Sequence, residues 1–345
     1  LKALKNAGVK IHLHCFQYDR KPNSILNEYC ETVNYYKRNT GFKSTLHILP
    51  YIVYSRISET LIDNLLKDDY PIIFEGLHSC YYLNDERLKN RVKIYRESNI
   101  EHNYYFNLAK STNKNRKKTF YLLESLKLRL YQKQIRFADH ALVVSQKDCQ
   151  YLKNKFPNKD IIYLPSFHGN SKVVSKEGSG NYVLYHGNLS VEENVVAALY
   201  LIDIFMFVDI PFIVAGLSPD ESIYRAAKDI SNIKIIDSPN EEDMHQLIEN
   251  AQINILYTAQ ATGLKLKLLN VLYQGRHVLV NSKIVSGTGI GNLCSIADNK
   301  QEMIEKLNNL FNKPFSKEDI FDRENFLTIS YNDKTNAKKL ISLLG

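Results

Sequence analysis

The sequence has no apolar run of the about 20 residues that a membrane-spanning helix needs, and it has no Cys-x-x-Cys pair. Its five cysteines, Cys15, Cys30, Cys80, Cys149 and Cys294, are scattered along the chain. This spacing argues against a disulfide framework and a structural zinc site, and it favours a reducing compartment. No secretory signal is visible, so we expect a cytoplasmic protein that could also contact the inner face of a membrane.

A dinucleotide-binding fingerprint is also missing. No Gly-x-Gly-x-x-Gly motif occurs in the chain, and "GTGIG" at 287–291 is one residue too short. No junction between a strand and a helix is evident around it, so we predict a loop there. The sequence therefore gives no indication of a nicotinamide or flavin cofactor.

Positive charge is concentrated in the first half of the 345 residues. Residues 1–170 hold 28 Lys and Arg against 16 Asp and Glu, or +12, whereas residues 171–345 hold 17 against 21, or −4. A basic half suggests an anionic partner, such as a membrane surface, an anionic glycan or nucleic acid. A lysine-rich solvated surface explains the charge equally well. No pattern of a nucleic-acid-binding module appears, so we expect no nucleic acid partner.

Strands and helices alternate along both halves, which predicts an α/β protein with parallel sheets. The predicted strands of the first half are 9–15, 71–76, 92–98, 141–145 and 160–165, with a long helix over 119–138. The predicted strands of the second half are 182–187, 211–216, 233–237, 253–257 and 277–281, and its helices are 194–207, 241–250 and 266–274.

A polar segment rich in Gly and Ser at 166–180 predicts the boundary between two domains. We expect one domain over 1–168 and a second over 180–330. The chain starts inside a helical pattern, whereas doubly wound sheets normally open with a strand. We therefore expect the first strand and its loop to lie upstream of Leu1.

The stretch "ATGLKLKLLNVLYQGRHVLVN" at 261–281 combines a predicted helix with an unusual charge. Its leucines give the helix an apolar face, and Lys265 and Lys267 stand at its start, beside the end of the preceding strand. A helix N-terminus carries positive partial charge and so disfavours cations. Lysines at this place are easier to understand if an anion binds there.

The order of these segments resembles the GT-B glycosyltransferases, in particular the large retaining family four of bacterial type. The segments that carry the resemblance are "YVLYHGNLSVEENVVAAL", "PFIVAGLSP", "MHQLIENAQINILYT", "ATGLKLKLLNVLYQGRHVLVN", "RESNIEHNYY" and "LRLYQKQIRFADHALVVSQKDCQYL". The resemblance implies two Rossmann-like, doubly wound domains facing a cleft, and a C-terminal helix in 331–345 that packs back towards the first domain. It also implies a nucleotide-sugar donor on the C-terminal domain and an acceptor on the basic N-terminal domain. No metal is expected, which fits the lack of a clear Asp-x-Asp motif.

The chain departs from the family pattern at its charged donor residues. Where many members carry an Arg and a Lys after the first glycine loop, this chain has Asn188 and Glu193. Where the family has two glutamates, this chain has Thr262 and Asn270, of which Asn270 could still hydrogen-bond a ribose diol. The resemblance therefore puts Lys265 and Lys267 forward as the clamp on the diphosphate, although solvated lysines at a helix start are the plainer alternative.

Three glycines complete the predicted donor site. Gly187 and Gly216 each end a predicted strand, and Gly263 lies in the loop before the lysines. A glycine lets a ligand approach the backbone closely, and ligands of such sheets bind beyond the carboxyl ends of the strands.

The candidate catalytic residues lie in the first half, where family members often place a polar residue near the reacting sugar. "FEGLHS" offers Glu75 and His78, and "RESNIEHNYY" offers His102 beside Arg96, Glu97 and Glu101. We rank Glu75, His78 and His102 first, since a histidine can hold the acceptor hydroxyl near neutral pH. An ordinary hydrogen-bonded side chain is the plainer alternative for each.

The stretch "KSTNKNRKKTFYLL" at 110–123 places a cationic cluster before aromatic residues. It is suited to an anionic membrane surface, or else it is a solvated helix start. The leading functional hypothesis is thus a retaining glycosyltransferase that builds a bacterial surface glycan or lipid-linked saccharide. A nucleotide-sugar epimerase of the same fold and a non-catalytic subunit that binds a sugar nucleotide or a partner stay open as alternatives.

Overall fold

The structure is a computed structural model that describes residues 1–18, 22–112, 114–259 and 266–345. The chain forms two compact units. Unit 1 comprises Leu1–Gly169 and Asp333–Gly345, and unit 2 comprises Asn170–Asn332. None of the helices within the described ranges is long and apolar enough to cross a membrane.

Unit 1 contains six strands and eight α-helices among the described residues. The strands are β1 (His12–Phe16), β2 (Thr32–Tyr36), β3 (Ile72–Glu75), β4 (Lys93–Glu97), β5 (His140–Val143) and β6 (Asp160–Tyr163). The helices are α1 (Lys2–Asn6), α2 (Phe42–Leu46), α3 (Tyr51–Tyr54), α4 (Glu59–Leu65), α5 (Glu101–Ser111), α6 (Asn115–Tyr131), α7 (Gln146–Lys155) and the C-terminal α15 (Asp333–Ile341).

The strands of unit 1 form two parallel sheets. β3, β4, β5 and β6 pair in chain order, and β1 pairs with β2. The sequence prediction missed β2, whose segment has Asn34 at its centre and lacks the continuous apolar run of the other strands. The prediction also began β1 at residue 9, whereas the strand begins at His12.

The long helix predicted over 119–138 differs from the observed one at both ends. α6 begins at Asn115 and ends at Tyr131, and residues Gln132–Phe137 continue as a tighter 3₁₀ helix. The first turn of α6 is polar and cationic and has no apolar periodicity, so the predicted start of the helix is too late. The leucine-rich part of the prediction lies within the helix.

The four-stranded sheet of unit 1 is buried on both faces. Phe74, Tyr95 and Val143 pack with Leu128 of α6 on one face. On the other face, Ile94 and Leu142 pack with Leu340 of α15. The C-terminal helix is therefore part of the core of unit 1, and Lys339 of that helix donates a hydrogen bond of 2.9 Å to the carbonyl of Tyr163.

Unit 2 has six strands and seven helices in its described part. The strands are β7 (Val183–Asn188), β8 (Phe212–Leu217), β9 (Ile233–Asp237), β10 (Ile253–Leu256), β11 (His277–Val280) and β12 (Ser295–Ile296). The helices are α8 (Glu192–Phe205), α9 (Glu221–Ala227), α10 (Glu241–Asn250), α11 (Leu266–Gln274), α12 (Ser282–Val285), α13 (Lys300–Phe311) and α14 (Lys317–Ser330).

The six strands of unit 2 form one parallel sheet in the order β12-β11-β10-β7-β8-β9. Counted from the first strand of the unit, this is the order of the Rossmann fold. From β7 the chain adds β8 and β9 on one side of the sheet, and it then adds β10, β11 and β12 on the other side, so the winding reverses between β7 and β10. In such sheets ligands bind in the crevice outside the carboxyl ends of the two strands at the reversal. The sheet order thus locates a candidate site before any side chain is considered.

Apolar side chains cover both faces of this sheet, which explains the continuous apolar runs of its strands. One face packs on α8 and α13, with Leu201 and Met303 among the buried residues. The other face packs on α11 and α14, with Leu272 and Leu327 buried. The segment predicted as a linker divides at Gly169, and its later residues attach to unit 2, where Val174 donates to the carbonyl of Tyr273 at 2.7 Å.

Candidate functional site

The candidate donor site is the carboxyl edge of the unit 2 sheet around β7 and β10. Gly187 and Asn188 end β7, and the side-chain oxygen of Asn188 accepts hydrogen bonds from the backbone nitrogen (3.2 Å) and hydroxyl (2.7 Å) of Ser190. Asn194, in the first turn of α8, donates to the carbonyl of Asn188 at 2.9 Å. These bonds shape the turn between β7 and α8.

The packing of this edge requires glycine at 216 and leaves little room for a side chain at 187. A Cβ at Gly216 would stand 1.8 Å from the carbonyl oxygen of Gly187, so only glycine lets β8 lie beside β7 here. A Cβ at Gly187 would stand 3.3 Å from the side-chain carbon Cγ of Asn194. The two glycines therefore bring strands and helix start close together, a structural role that the sequence prediction did not foresee.

Lys267 lies at this same edge. Its Nζ donates to Oδ1 of Asn194 at 3.3 Å and stands 5.3 Å from the ring centroid of Tyr185. The lysine belongs to α11, which follows β10, whereas Asn194 and Tyr185 belong to α8 and β7. A positive charge is therefore held between the two strands where the winding reverses. Thr262, Gly263 and Lys265, the other predicted donor residues of this loop, lie outside the described residues.

Glu193 takes part in a second set of contacts at this edge. Its carboxylate accepts a hydrogen bond from the hydroxyl of Thr258, just beyond β10. The backbone nitrogen of Thr258 donates to Oδ1 of Asn281 at 3.3 Å, and Nδ2 of Asn281 donates to the carbonyl of Thr258 at 2.8 Å. Since Asn281 follows β11 and Glu193 lies in the first turn of α8, these bonds join the ends of β10 and β11 to the start of α8.

Asn270 is joined to a polar chain of side chains on one side of α11. Its Oδ1 accepts from Asn170 at 3.0 Å, and Asn170 in turn accepts from Gln274 at 3.1 Å. Gln274 contacts Nδ1 of His245 at 2.9 Å. The side-chain oxygen of Asn270 thus already accepts one hydrogen bond within the protein, and its amide hydrogens and second lone pair are the groups left for the predicted bond to a ribose diol.

His186, which the sequence analysis did not select, is the most strongly perturbed histidine of unit 2. It is buried on β7, and its Nε2 has no hydrogen-bond partner among the described residues. Burial, followed by the positive charge of Lys267, lowers its pKa from 6.5 to about 3. The imidazole is therefore neutral at pH 7 beside the candidate anion site. Its place directly before Gly187 in "YHGN" was the available signal.

This pKa predicts a measurable pH dependence of stability. Between pH 6.5 and about 3 the unfolded chain binds a proton at His186 that the folded chain does not bind, so stability falls as the pH falls. We expect the unfolding free energy of the wild type to drop by about 1 kcal/mol more than that of His186→Leu between pH 7 and 5.5. Urea unfolding of both proteins at the two pH values measures this difference. Equal losses would show that His186 titrates normally in the folded chain.

The candidate acceptor site is the carboxyl edge of the unit 1 sheet, where β3 and β4 end. Gly76 follows β3 with φ of 77°, in the left-handed region, and a Cβ there would stand 2.7 Å from Cε1 of His78. The glycine thus leaves room for the His78 ring. Burial, then the charges of Arg56 and Arg38, lower the pKa of His78 to about 4. At pH 7 it is a neutral ring that can accept one hydrogen bond and donate another.

Arg38 and Arg56 form a cationic pair that the sequence analysis missed. The guanidinium carbons of Arg38 and Arg56 stand 4.2 Å and 5.2 Å from the ring centroid of Tyr18. Arg56 is buried, and it donates to the carbonyl of Ile52 at 2.5 Å and to the hydroxyl of Tyr18. No described carboxylate forms an ion pair with either arginine. No motif marks them, because they come from separate segments that only the fold brings together.

Glu101 is the carboxyl group of this edge that is best suited to proton transfer. It begins α5 just beyond β4, and burial raises its pKa from 4.5 to about 7, with the charge of Arg56 opposing the shift. A general acid or base works best when its pKa is near the working pH. The sequence named Glu101 among the polar residues of its segment but ranked it below three others.

The three residues ranked first are not brought together. Glu75 is exposed and pairs with Arg96 at 2.8 Å. His102 is buried on α5, where its Nε2 stands 3.5 Å from the hydroxyl of Tyr151. Burial and then the charges of Lys155 and Arg129 lower its pKa to about 4, so its charged neighbours differ from those of His78. Of the three, only His78 shares its surroundings with the arginine pair.

Within the described ranges, no group of three or more His, Cys, Asp or Glu side chains is arranged to hold a metal ion.

Comparison with known proteins gave a clear result for the fold. No family model matches the chain. A curated Klebsiella pneumoniae protein, described as an uncharacterized 44.6 kDa protein in cps region, is 26% identical over 342 residues, which cover 92% of this chain and 86% of that protein.

Solved structures of glycosyltransferases resemble the chain over most of its length. Sucrose-phosphate synthase of Thermosynechococcus elongatus superposes with a TM-score of 0.69 at 12% identity, covering 99% of this chain and 90% of that one. A variant of S. aureus TarM in complex with fondaparinux, alpha-GlcNAc-glycerol and UDP gives 0.62 at 13% identity; the match covers 86% of this chain but only 58% of the TarM chain. A trehalose-6-phosphate synthase, studied for glycosyl transfer with retention, gives a TM-score of 0.59 at 7% identity, and the match covers 91% of this chain and 87% of that one.

These likenesses, together with the parallel sheets of the two units, confirm the predicted fold. The chain has the GT-B fold of glycosyltransferases, with a Rossmann-like sheet in each unit.

Proposed function

We propose that the chain is a retaining glycosyltransferase that takes a sugar from a UDP- or GDP-sugar and passes it to a glycan or lipid-linked saccharide. The observation that carries the proposal is the positive charge of Lys267 at the carboxyl ends of β7 and β10, where the winding of the unit 2 sheet reverses. The GT-B fold supports it, since similar chains include a TarM complex with UDP and a synthase studied for retention. The relative in a cps region supports a role in bacterial surface polysaccharide biosynthesis.

The donor chemistry follows from the charge that develops on the leaving diphosphate. Breaking the bond to the anomeric carbon places negative charge on the diphosphate in the transition state, and cations and amide dipoles fixed around it lower the barrier. In the proposal, Lys265 and Lys267 supply the cations, and the N-terminus of α11 supplies amide donors. The proposal includes no resident metal, in keeping with the lack of an Asp-x-Asp motif in the sequence.

The acceptor side of the proposal uses the edge of unit 1. His78 is neutral at pH 7 and can hold an acceptor hydroxyl through a hydrogen bond. Glu101 has a pKa near 7 and can accept or return the proton of that hydroxyl. The net charge of residues 1–170 is +12, which supports an anionic acceptor or membrane surface for this half.

A nucleotide screen followed by a turnover assay tests the proposal. We expect UDP or GDP, but not the matching nucleoside, to raise the thermal midpoint of the full chain in a screen that also includes ADP and CMP. Prolonged incubation with sugars carried on the same nucleotide should then release free sugar slowly, because water replaces the missing acceptor.

Two outcomes would contradict the proposal in different ways. Stabilisation by a nucleotide without any sugar release or transfer would favour a non-catalytic subunit, in agreement with the replacement of two family glutamates by Thr262 and Asn270. If none of the four nucleotides stabilised the chain, the proposed donor site itself would be contradicted.

A further inference from the structure

The outer face of α6 is apolar although it is exposed. Leu122, Leu123, Leu126 and Leu130 are 41%, 56%, 57% and 60% exposed. With about 100° between successive helical residues, these four leucines occupy a single arc about 100° wide. A surface helix normally points such an arc into the core, but the core side of α6 is formed by other residues, among them the fully buried Leu128.

Cations border this arc along both of its edges. On the same helical projection, Lys118 and Arg129 follow one edge, and Arg116 and Lys127 follow the other. The single carboxylate of the helix, Glu124, is buried and pairs with Lys127 at 2.8 Å. Between 110 and 136 the chain has nine lysines and arginines and this one acidic residue. The face therefore combines exposed leucines with cations along both borders, of which Lys127 is already paired with Glu124.

A neighbouring segment extends the apolar surface. Leu46 and Ile48 are 70% and 86% exposed. Their segment is fixed against α6 at both ends, since Lys127 contacts the carbonyl of Thr45 at 3.5 Å and the backbone nitrogen of Tyr51 donates to Glu124 at 2.5 Å. The segment that carries the two exposed side chains thus lies against the Lys127 side of α6.

We propose that α6 lies in the plane of an anionic membrane surface, with its four leucines between the lipid chains and its border cations at the headgroup phosphates. A helix with this pattern binds by burying its apolar face and attracting anionic lipids at the same time. The cations on both edges favour phosphates on both sides of the helix, which a bilayer supplies everywhere. The inference rests on the proposed function only in taking unit 1 as the acceptor side.

The absence of tryptophan from the chain makes the insertion directly measurable. Leu126→Trp places a single tryptophan in the centre of the leucine arc, and Ile329→Trp places a matched one on α14, at a side chain that is 82% exposed. With vesicles of phosphatidylglycerol and phosphatidylcholine, we expect the emission at 126 to shift to the blue and to be quenched by brominated lipid. The emission at 329 should stay unchanged.

Sedimentation with the same vesicles measures the affinity. The double variant Leu126→Ser, Leu130→Ser should bind at least about tenfold more weakly, because two large apolar side chains are no longer transferred from water into the lipid. Ile329→Ser should not change the affinity. High salt or pure phosphatidylcholine should weaken binding of the wild type, because the cations then contribute less.

The inference would be overturned if the tryptophan at 126 kept its emission while the protein sedimented, since another surface would then make the contact. It would also be overturned if the emission at 126 shifted without vesicles as the protein concentration rose, since a second copy of the chain would then cover the face. Neither result depends on sugar transfer. Nucleotide binding and sugar release, measured without vesicles, therefore fail or succeed separately.

Discussion

Arg323→Met should lower the free energy of unfolding by about 3–5 kcal/mol, because buried carbonyls lose hydrogen bonds to a charged group that are worth about 1.5–3 kcal/mol each. The guanidinium is buried in unit 2, where Nη1 donates to the carbonyls of Gly275 at 2.5 Å and Leu272 at 3.3 Å and to the hydroxyl of Ser175 at 3.1 Å. Nη2 donates to the carbonyl of Arg276. Burial lowers the pKa of Arg323 to about 10, and the group stays charged at pH 7.

The size of the effect follows from the end of α11. The last carbonyls of a helix have no partner within the helix, and they carry its negative partial charge. Arg323 supplies both hydrogen bonds and positive charge at this place, and its guanidinium also stands 4.5 Å from the ring centroid of Phe315. Methionine fills a similar volume but leaves the carbonyls of Leu272 and Arg276 without this donor, at about 1–3 kcal/mol for each buried group. The carbonyl of Gly275 keeps the hydroxyl of Ser175 at 2.7 Å.

Urea unfolding of the wild type and Arg323→Met measures this loss. Arg225→Met on α9 is the matched control, because Arg225 is exposed and its replacement should change stability by less than about 0.5 kcal/mol. Equal, small changes in both variants would mean that water or a shifted α11 takes over the bonds of Arg323.

The sequence predicted the sheet of unit 2 well because its strands are buried on both faces and read as apolar runs. α10 has the predicted bounds and α11 has the predicted end, since each combines an apolar period with a clear stop. α10 ends before the strand residue Ile253, and α11 ends before Gly275. β2 and α5 were missed because polar and aromatic residues interrupt their patterns, and only pairing with β1 or packing in unit 1 reveals them.

The candidate site was less predictable than the fold. Lys267 could be found because a cation at a helix start conflicts with the helix dipole, which is a local feature of the sequence. Arg38, Arg56 and Tyr18 could not be found, because each looks like an ordinary surface residue until tertiary contacts gather them. The sequence also could not show that His102 is buried beside Tyr151, away from the arginine pair, because burial on a helix depends on tertiary packing.

Lys265→Ala should weaken binding of a nucleoside diphosphate by about ten- to a hundredfold. A charge-assisted hydrogen bond is worth about 1.5–3 kcal/mol, and 1.4 kcal/mol corresponds to a factor of ten in affinity. Lys265 follows the loop glycine of the predicted phosphate site and precedes α11, whose N-terminus also favours an anion. Binding of the bare nucleoside should change much less, because the nucleoside has no phosphates for the lysine to meet.

Calorimetric titration of this variant tests the central claim, that the edge of the unit 2 sheet binds the diphosphate of a sugar donor. UDP or GDP, whichever stabilises the wild type, and its nucleoside are titrated into wild type, Lys265→Ala and Lys306→Ala, which removes an exposed lysine from α13. We predict a loss that is confined to the diphosphate and to Lys265→Ala. An equal loss for diphosphate and nucleoside, or diphosphate binding that is unchanged in Lys265→Ala, would contradict the claim.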